Sequence, residues 1–203
     1  MKNNQMRKDI IKNIERHLLS KLSNITDINS LYRTLKELSC NDEKINMTNA
    51  LNKVISGDEL KRLYTKNFGF SDRLSSVDAI YKFINNNIYI IEFKSGKVEK
   101  KNIYKKAYDT FITLRELEII KDLNYSINHV LYILVYNKKI DEKINSWYNI
   151  NNHIYNLTID NYKNKSLCSI GSFEEYLFKE SFACSIENFD KYIVNELMDD
   201  EKE

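Results

Sequence analysis

The sequence predicts an α/β fold, a mixed central β-sheet flanked by helices with helical additions at its N- and C-terminal ends, and three observations carry that prediction. Two β-rich runs flank the asparagine cluster Asn85-Asn86-Asn87, a helical pattern follows from about Lys97, and the uninterrupted apolar run Val130-Leu131-Tyr132-Ile133-Leu134-Val135-Tyr136 comes next. Strand, long helix and returning strand make a crossover, which packs a helix on a sheet.

Each element follows in chain order. Ile10, Ile11, Ile14, Leu18, Leu19 and Leu22 recur at the three-and-four spacing of an amphipathic helix. Leu31, Leu35 and Leu38 open a second helix after the polar break from Asn24 to Asn29. A third runs from about Met47 to Asn67, interrupted at Ser56-Gly57-Asp58, where a glycine followed by an acid marks a stop and a fresh N-cap. Residues 1–45 therefore read as a helical N-terminal region and 46–203 as the core with C-terminal helices. From Ser76 the character changes to β-branched and aromatic: Val77 to Ile84 and Ile88 to Lys94 read as the two arms of a hairpin. Ile103, Ala107, Phe111, Leu114 and Leu117 then mark a helix. Val130 to Tyr136 is too continuously apolar for a surface strand and reads as a buried central one. A shorter strand, about Ile154 to Ile159, follows the segment around Ser146 and Trp147, and residues 173–198 read as helical again.

Composition narrows the function classes. A chain of 203 residues with 42% hydrophobic and 12% aromatic residues buries one good-sized core and is not a disordered chain. With 31 basic against 29 acidic residues, a net charge of +2 excludes a globally basic nucleic-acid binder, so any such binding must use a local patch. Cys40, Cys168 and Cys184 are odd in number and far apart, which indicates neither a disulfide framework nor a zinc site. The polar N-terminus and the lack of a long apolar run lead us to expect no membrane association and a cytoplasmic location. Oligomeric state is left open.

The chemistry concentrates in the hairpin. Side chains alternate along a strand, so Glu92 and Lys94 share one face while Phe93 points the other way into hydrophobic packing. Charges on an otherwise apolar strand are costly to bury unless paired or bound to a cation. Asp78 joins them if the hairpin parity is right. A three-residue loop pairs Ile84 with Ile88 and sets Asp78 opposite Lys94 and diagonal to Glu92; a two-residue loop sends Asp78 to the other face unless a bulge restores it. Two converging carboxylates suit Mg²⁺ or Mn²⁺, which would activate water and neutralise charge on a phosphate while a nearby lysine orients that water or stabilises the transition state. The tripeptide acid-x-Lys also occurs at Asp42, Glu59, Glu99, Asp141 and Asp200, but only Glu92 ends an apolar β-run with a second acid at hairpin distance. The competing reading is an edge strand with Glu92 and Lys94 as an ordinary exposed pair.

Asp78, then Glu92-Phe93-Lys94 at the end of an apolar strand, then a helix and another apolar strand, resemble the core of the PD-(D/E)XK nuclease superfamily over roughly Met47 to Ile159. The resemblance implies a restriction-endonuclease-like core and hydrolysis of phosphodiester bonds in DNA, or secondarily RNA. It further implies a Mg²⁺ or Mn²⁺ held by Asp78, Glu92 and the carbonyl of Phe93, with Lys94 catalytic. Val77 stands where the superfamily's name has proline. In the Gln-x-x-x-Tyr of many exonuclease-like members, Tyr108 keeps the tyrosine and Tyr104 replaces the glutamine. Glu59 is the candidate for the acid that some members carry on the helix before the sheet. The alternative is a catalytically inactive module of the same fold that binds nucleic acid or a protein partner, as in defence or counter-defence.

Two readings stand for the basic stretch: Lys97, Lys101 and Lys105, with Lys100 and Lys106, grip a phosphate backbone, or they are a solvated first turn of a helix. His17, His129 and His153 are scattered and carry no ligand-like neighbours.

Overall fold

Val130–Tyr136 offers no polar face to water, so it can only be a strand covered on both sides, and all seven of its residues are buried. In the computed structural model, which describes residues 15–16, 18–22, 28–40, 44–70, 74–82, 86–137 and 162–202, this strand lies inside a six-stranded mixed sheet whose order follows the chain. The strands are β1 (Tyr32–Thr34), β2 (Lys53–Ser56), β3 (Ala79–Lys82), β4 (Ile88–Lys94), β5 (Val130–Tyr136) and β6 (Glu180–Ser185). Pairing is antiparallel from β1 to β4 and parallel from β4 to β6. The helical segments include α1 (Leu35–Leu38), α2 (Gly57–Phe68), α3 (Lys100–Glu116) and α4 (Leu123–His129), the 3₁₀ segments Ile28–Leu31 and Leu167–Glu175, and a C-terminal helical run after β6. The α/β class, with helices flanking a mixed open sheet, is as expected.

The alternation of strand side chains divides the core in two. On one face Ile80, Ile88, Ile90, Tyr132 and Leu134 pack with Leu60 of α2 and with Ile103, Ala107 and Leu114 of α3. On the other, Tyr81, Ile91, Phe93, Ile133 and Val135 pack with Phe189, Ile193 and Leu197 of the C-terminal run. Strand β4 is therefore central, and the α3 crossover covers the face that carries Glu92.

Several elements differ from the expectation. The segment from Met47 is not one interrupted helix: it enters without regular secondary structure, forms β2, and becomes helical only at Gly57, where Ser56 caps α2 by accepting from the Glu59 N–H at 3.3 Å. Its apolar residues mislead because Val54 and Ile55 are both buried, one in each core, so a short central strand mimics helical spacing. Leu31 ends a short 3₁₀ helix (Ile28–Leu31) and Leu35 opens the single α-helical turn Leu35–Leu38, with strand β1 between them in place of one continuous helix. Within the expected C-terminal helices lies β6, whose Ser181 donates through Oγ to the Ile170 carbonyl at 2.8 Å. Helix α4 carries no pattern long enough to announce it. Of the first expected helix, Leu18 and Leu22 are buried in the core on the α3 side; Ile10, Ile11, Ile14, the expected strand from Ile154 to Ile159, Trp147, His17 and His153 lie outside the described residues. Among the described residues no helix is long and apolar enough to cross a membrane.

Candidate metal centre

The site begins with a glycine. A side chain at Gly57 would collide with the carbonyl of Val77, so only glycine lets the start of α2 approach the strand this closely. The Gly57 N–H uses that approach to donate to the Asp78 carbonyl at 3.1 Å. Neighbouring bonds hold the same segment: Ser75 N–H donates to Asp109 Oδ2 at 2.7 Å, Ser76 Oγ to Asp58 Oδ1 at 2.5 Å, and Val77 N–H to Thr110 Oγ1 at 3.1 Å. Residues 75–78 are thus fixed between α2 and α3 just before β3 begins.

The hairpin register then brings Asp78 to Glu92. Pairs run from Lys82↔Ile88 to Ala79↔Ile91, so the next position sets Asp78 across from Glu92. The expected pairing of Ile84 with Ile88 is displaced by two residues, because all of residues 83–87, and not only the three asparagines, lie between the paired Lys82 and Ile88. A two-residue displacement preserves the face. Asp78 Oδ2 accepts from the Phe93 N–H at 2.6 Å. A strand residue turns its N–H and C=O toward the same neighbour, so the Phe93 carbonyl also faces the side on which β3 has ended. The Phe93 ring goes to the opposite core, edge-on to Phe189 with centroids 5.6 Å apart.

Glu92 is not an exposed edge residue: its side chain is 0% exposed. Lys94 Nζ lies 2.8 Å from Glu92 Oε1. A second ammonium, that of Lys106, donates to Glu92 Oε1 at 2.7 Å and to Oε2 at 3.0 Å, and lies 3.8 Å from Asp78 Oδ1. Both carboxylates therefore converge on one cation. Glu92 is sealed from solvent, whereas Asp78 remains 23% exposed, so the pair is open to solvent on the Asp78 side.

The electrostatics follow from this burial. Asp78 is pushed up to about 7 from its usual 3.8, first by removal from water and then by the charge of Glu92, against the pull of Lys106, the Phe93 N–H and Lys94. Burial alone would lower the Lys106 ammonium, but the charges of Asp78 and Glu92 outweigh it and raise the group above its ordinary range; Asp58 adds to them. Tyr132, fully buried on the same face of the sheet, is also raised by burial and by Glu92 and Asp78, and its hydroxyl finds no hydrogen-bond partner among the described residues.

The other sequence candidates lie apart from this cluster. Glu59 pairs with Arg62 at 2.8 Å and with Arg33 at 3.8 Å, while its neighbour Asp58 is the acid within electrostatic range of Lys106. The Tyr108 hydroxyl shares a 2.6 Å hydrogen bond with that of Tyr176, and Tyr104 bonds the Ser169 carbonyl and packs on Phe173. Lys97 pairs with Glu99, Lys101 is exposed, and Lys105 bonds Ser75 Oγ and Asp109. These lysines lie on or before the first two turns of α3, the helix that carries Lys106. The position of Lys106 had a signal in the sequence: it falls on the buried stripe of Ile103, Ala107, Thr110 and Leu114, where a lysine needs an anion.

Among the described residues no three His, Cys, Asp or Glu side chains come together. A cation at Asp78 and Glu92 would take two carboxylates and the Phe93 carbonyl, and fill its remaining positions with water and substrate oxygens. Hard all-oxygen donors of that number fit Mg²⁺ or Mn²⁺, which retain several waters. No protein-family model, no curated protein and no solved structure matches the chain, so the reading of this site rests on its own geometry.

Proposed function

We propose that this protein is a Mg²⁺- or Mn²⁺-dependent nuclease of the PD-(D/E)XK type, with a restriction-endonuclease-like core, that hydrolyses phosphodiester bonds in DNA in preference to RNA. The observation that carries the reading is the convergence of Glu92 and Asp78 on a single cation position, at 2.7 Å and 3.8 Å respectively from the same ammonium nitrogen. When bound there, the divalent ion supplies activation of water and neutralisation of charge on the scissile phosphate. Asp78 and Glu92 bind it, and the close N–H of Phe93 orients the Asp78 carboxylate. Lys94, 25% exposed beside Glu92, orients the attacking water or stabilises the charge that develops on the phosphate. Lys97, Lys101 and Lys105 give a local basic patch at the start of the adjoining helix for the phosphate backbone.

The test is incubation of the purified protein with single- and double-stranded DNA and RNA in Mg²⁺ or Mn²⁺. Cleavage that disappears in Asp78→Asn and Lys94→Ala, with folding intact, supports the assignment; cleavage unchanged in both removes these residues from the reaction. One observation favours a second reading, a catalytically inactive module of the same fold that binds nucleic acid or a protein partner. Lys94 and Lys106 already balance the two carboxylates, so the cluster is electrically complete without a metal. Binding of DNA with no cleavage in either metal would select that reading.

A further inference from the structure

We infer that the Lys106 ammonium is a tethered stand-in for the divalent cation, holding the position between Asp78 and Glu92 until the ion binds and displaces it. This rests on the reading of Asp78 and Glu92 as a metal-binding pair. Three observations lead to it. First, Lys106 Nζ contacts both oxygens of Glu92, at 2.7 and 3.0 Å, and reaches Asp78 at 3.8 Å, which is the bridging position that a cation shared by the two carboxylates takes. Second, Lys106 is redundant as a partner for Glu92 Oε1, because Lys94 already holds that oxygen at 2.8 Å. Third, its side chain is 25% exposed on a flexible four-carbon stem, so it has a way out to water, whereas Glu92 has none.

Charge balance sets the direction of the exchange. With both acids ionised, two carboxylates and two ammoniums sum to zero, and a divalent ion added to that set would leave two excess positive charges at a largely buried site. Departure of Lys106 removes one of them and frees the coordinating oxygens. In the metal-free protein the same ammonium spares Glu92 the cost of a buried, half-paired charge. Once displaced, Lys106 extends from α3 beside Lys101 and Lys105, where it adds to the charge that faces a phosphate backbone. Metal loading and substrate binding then reinforce each other through one side chain.

Calorimetric titration with MnCl₂ tests the inference on the wild-type chain, Lys106→Met, Lys106→Arg and, as a control at an exposed cation further along the same helix, Arg115→Met, each checked for folding by circular dichroism. Lys106→Met is expected to bind Mn²⁺ at least about tenfold more tightly than wild type, because the ion no longer competes with a tethered charge. Lys106→Arg, which stays cationic, is expected to bind no more tightly, and Arg115→Met to stay within about twofold of wild type. In case Lys106→Met does not fold, acylation of lysines in the wild-type protein, read by mass spectrometry, gives the same answer. Lys106 should react severalfold faster with Mn²⁺ present while Lys105 does not change. Wild-type binding of Mn²⁺ with no gain in Lys106→Met, or with Lys106 equally unreactive in both states, overturns the inference and leaves the metal site standing. Binding by Lys106→Met alone supports it. No binding by any chain overturns the metal reading and this inference together.

Discussion

Replacing Asp78 by asparagine should make the metal-free protein more stable at alkaline pH than the wild type. The Asp78 carboxyl is pushed up to about 7 in the folded protein from an ordinary 3.8. A carboxyl raised in this way contributes stability that is fully present below its unfolded value and is lost as pH rises through the folded one, because above that point a charge is held largely out of water and beside Glu92. At about 1.4 kcal/mol per pH unit, the interval corresponds to roughly 4 kcal/mol. The 23% exposure of the side chain and its competition with Glu92 for one proton bring the expected figure to ~2 kcal/mol. Asparagine keeps an oxygen to accept from the Phe93 N–H, but it does not ionise. In urea denaturation with EDTA, Asp78→Asn should therefore gain ~2 kcal/mol on wild type between about pH 4 and pH 8, or about 4–8 °C in melting temperature. A difference that does not vary with pH, or that turns against the variant as pH rises, would refute the reasoning.

Three further outcomes follow from the same geometry. Gly57→Ala should cost about 1–3 kcal/mol by forcing α2 away from the Val77 carbonyl. Because that movement shifts Asp78, its Mn²⁺ affinity should fall in calorimetry, whereas the exposed Leu51→Ala should change neither quantity. Thr110→Val removes the partner of the buried Val77 N–H and should cost ~1–2 kcal/mol in chemical denaturation, despite lying outside the carboxylate cluster. The triple change of Lys97, Lys101 and Lys105 to alanine should weaken DNA binding and flatten its dependence on salt, by about 0.9 in the logarithmic slope for each phosphate that is no longer neutralised. An unchanged slope would mean that those lysines are only solvated.

The parts of the fold legible in the sequence are those whose physics is local. Val130 to Tyr136 could only be a covered strand, and the stripe of Ile103, Ala107 and Leu114 could only be a helix face. The alternation that sends Phe93 to one core and Glu92 to the other also follows from the strand itself. Strands β2 and β6 were illegible because each is short and takes its stability from neighbours. Val54 and Ile55 go to different cores, and Ser181 is satisfied by the Ile170 carbonyl and the Glu174 side chain, which periodicity cannot foresee. At the site, the pairing of Asp78 with the Glu92 region could be argued from hairpin parity, although its register could not. Lys106 was visible as a charge on an apolar helix stripe, but the anions it meets come from β4 and from the residue preceding β3, and only the tertiary fold brings them together.

The claim on which the rest depends is that Asp78 and Glu92 jointly hold a divalent cation. Crystals grown with MnCl₂ and measured for anomalous scattering test it most directly. The account predicts one Mn²⁺ per chain, within coordination distance of both carboxylates and of the Phe93 carbonyl, with Lys106 withdrawn. Density showing no ion at that position, with Lys106 still bridging the two acids at saturating Mn²⁺, would contradict it.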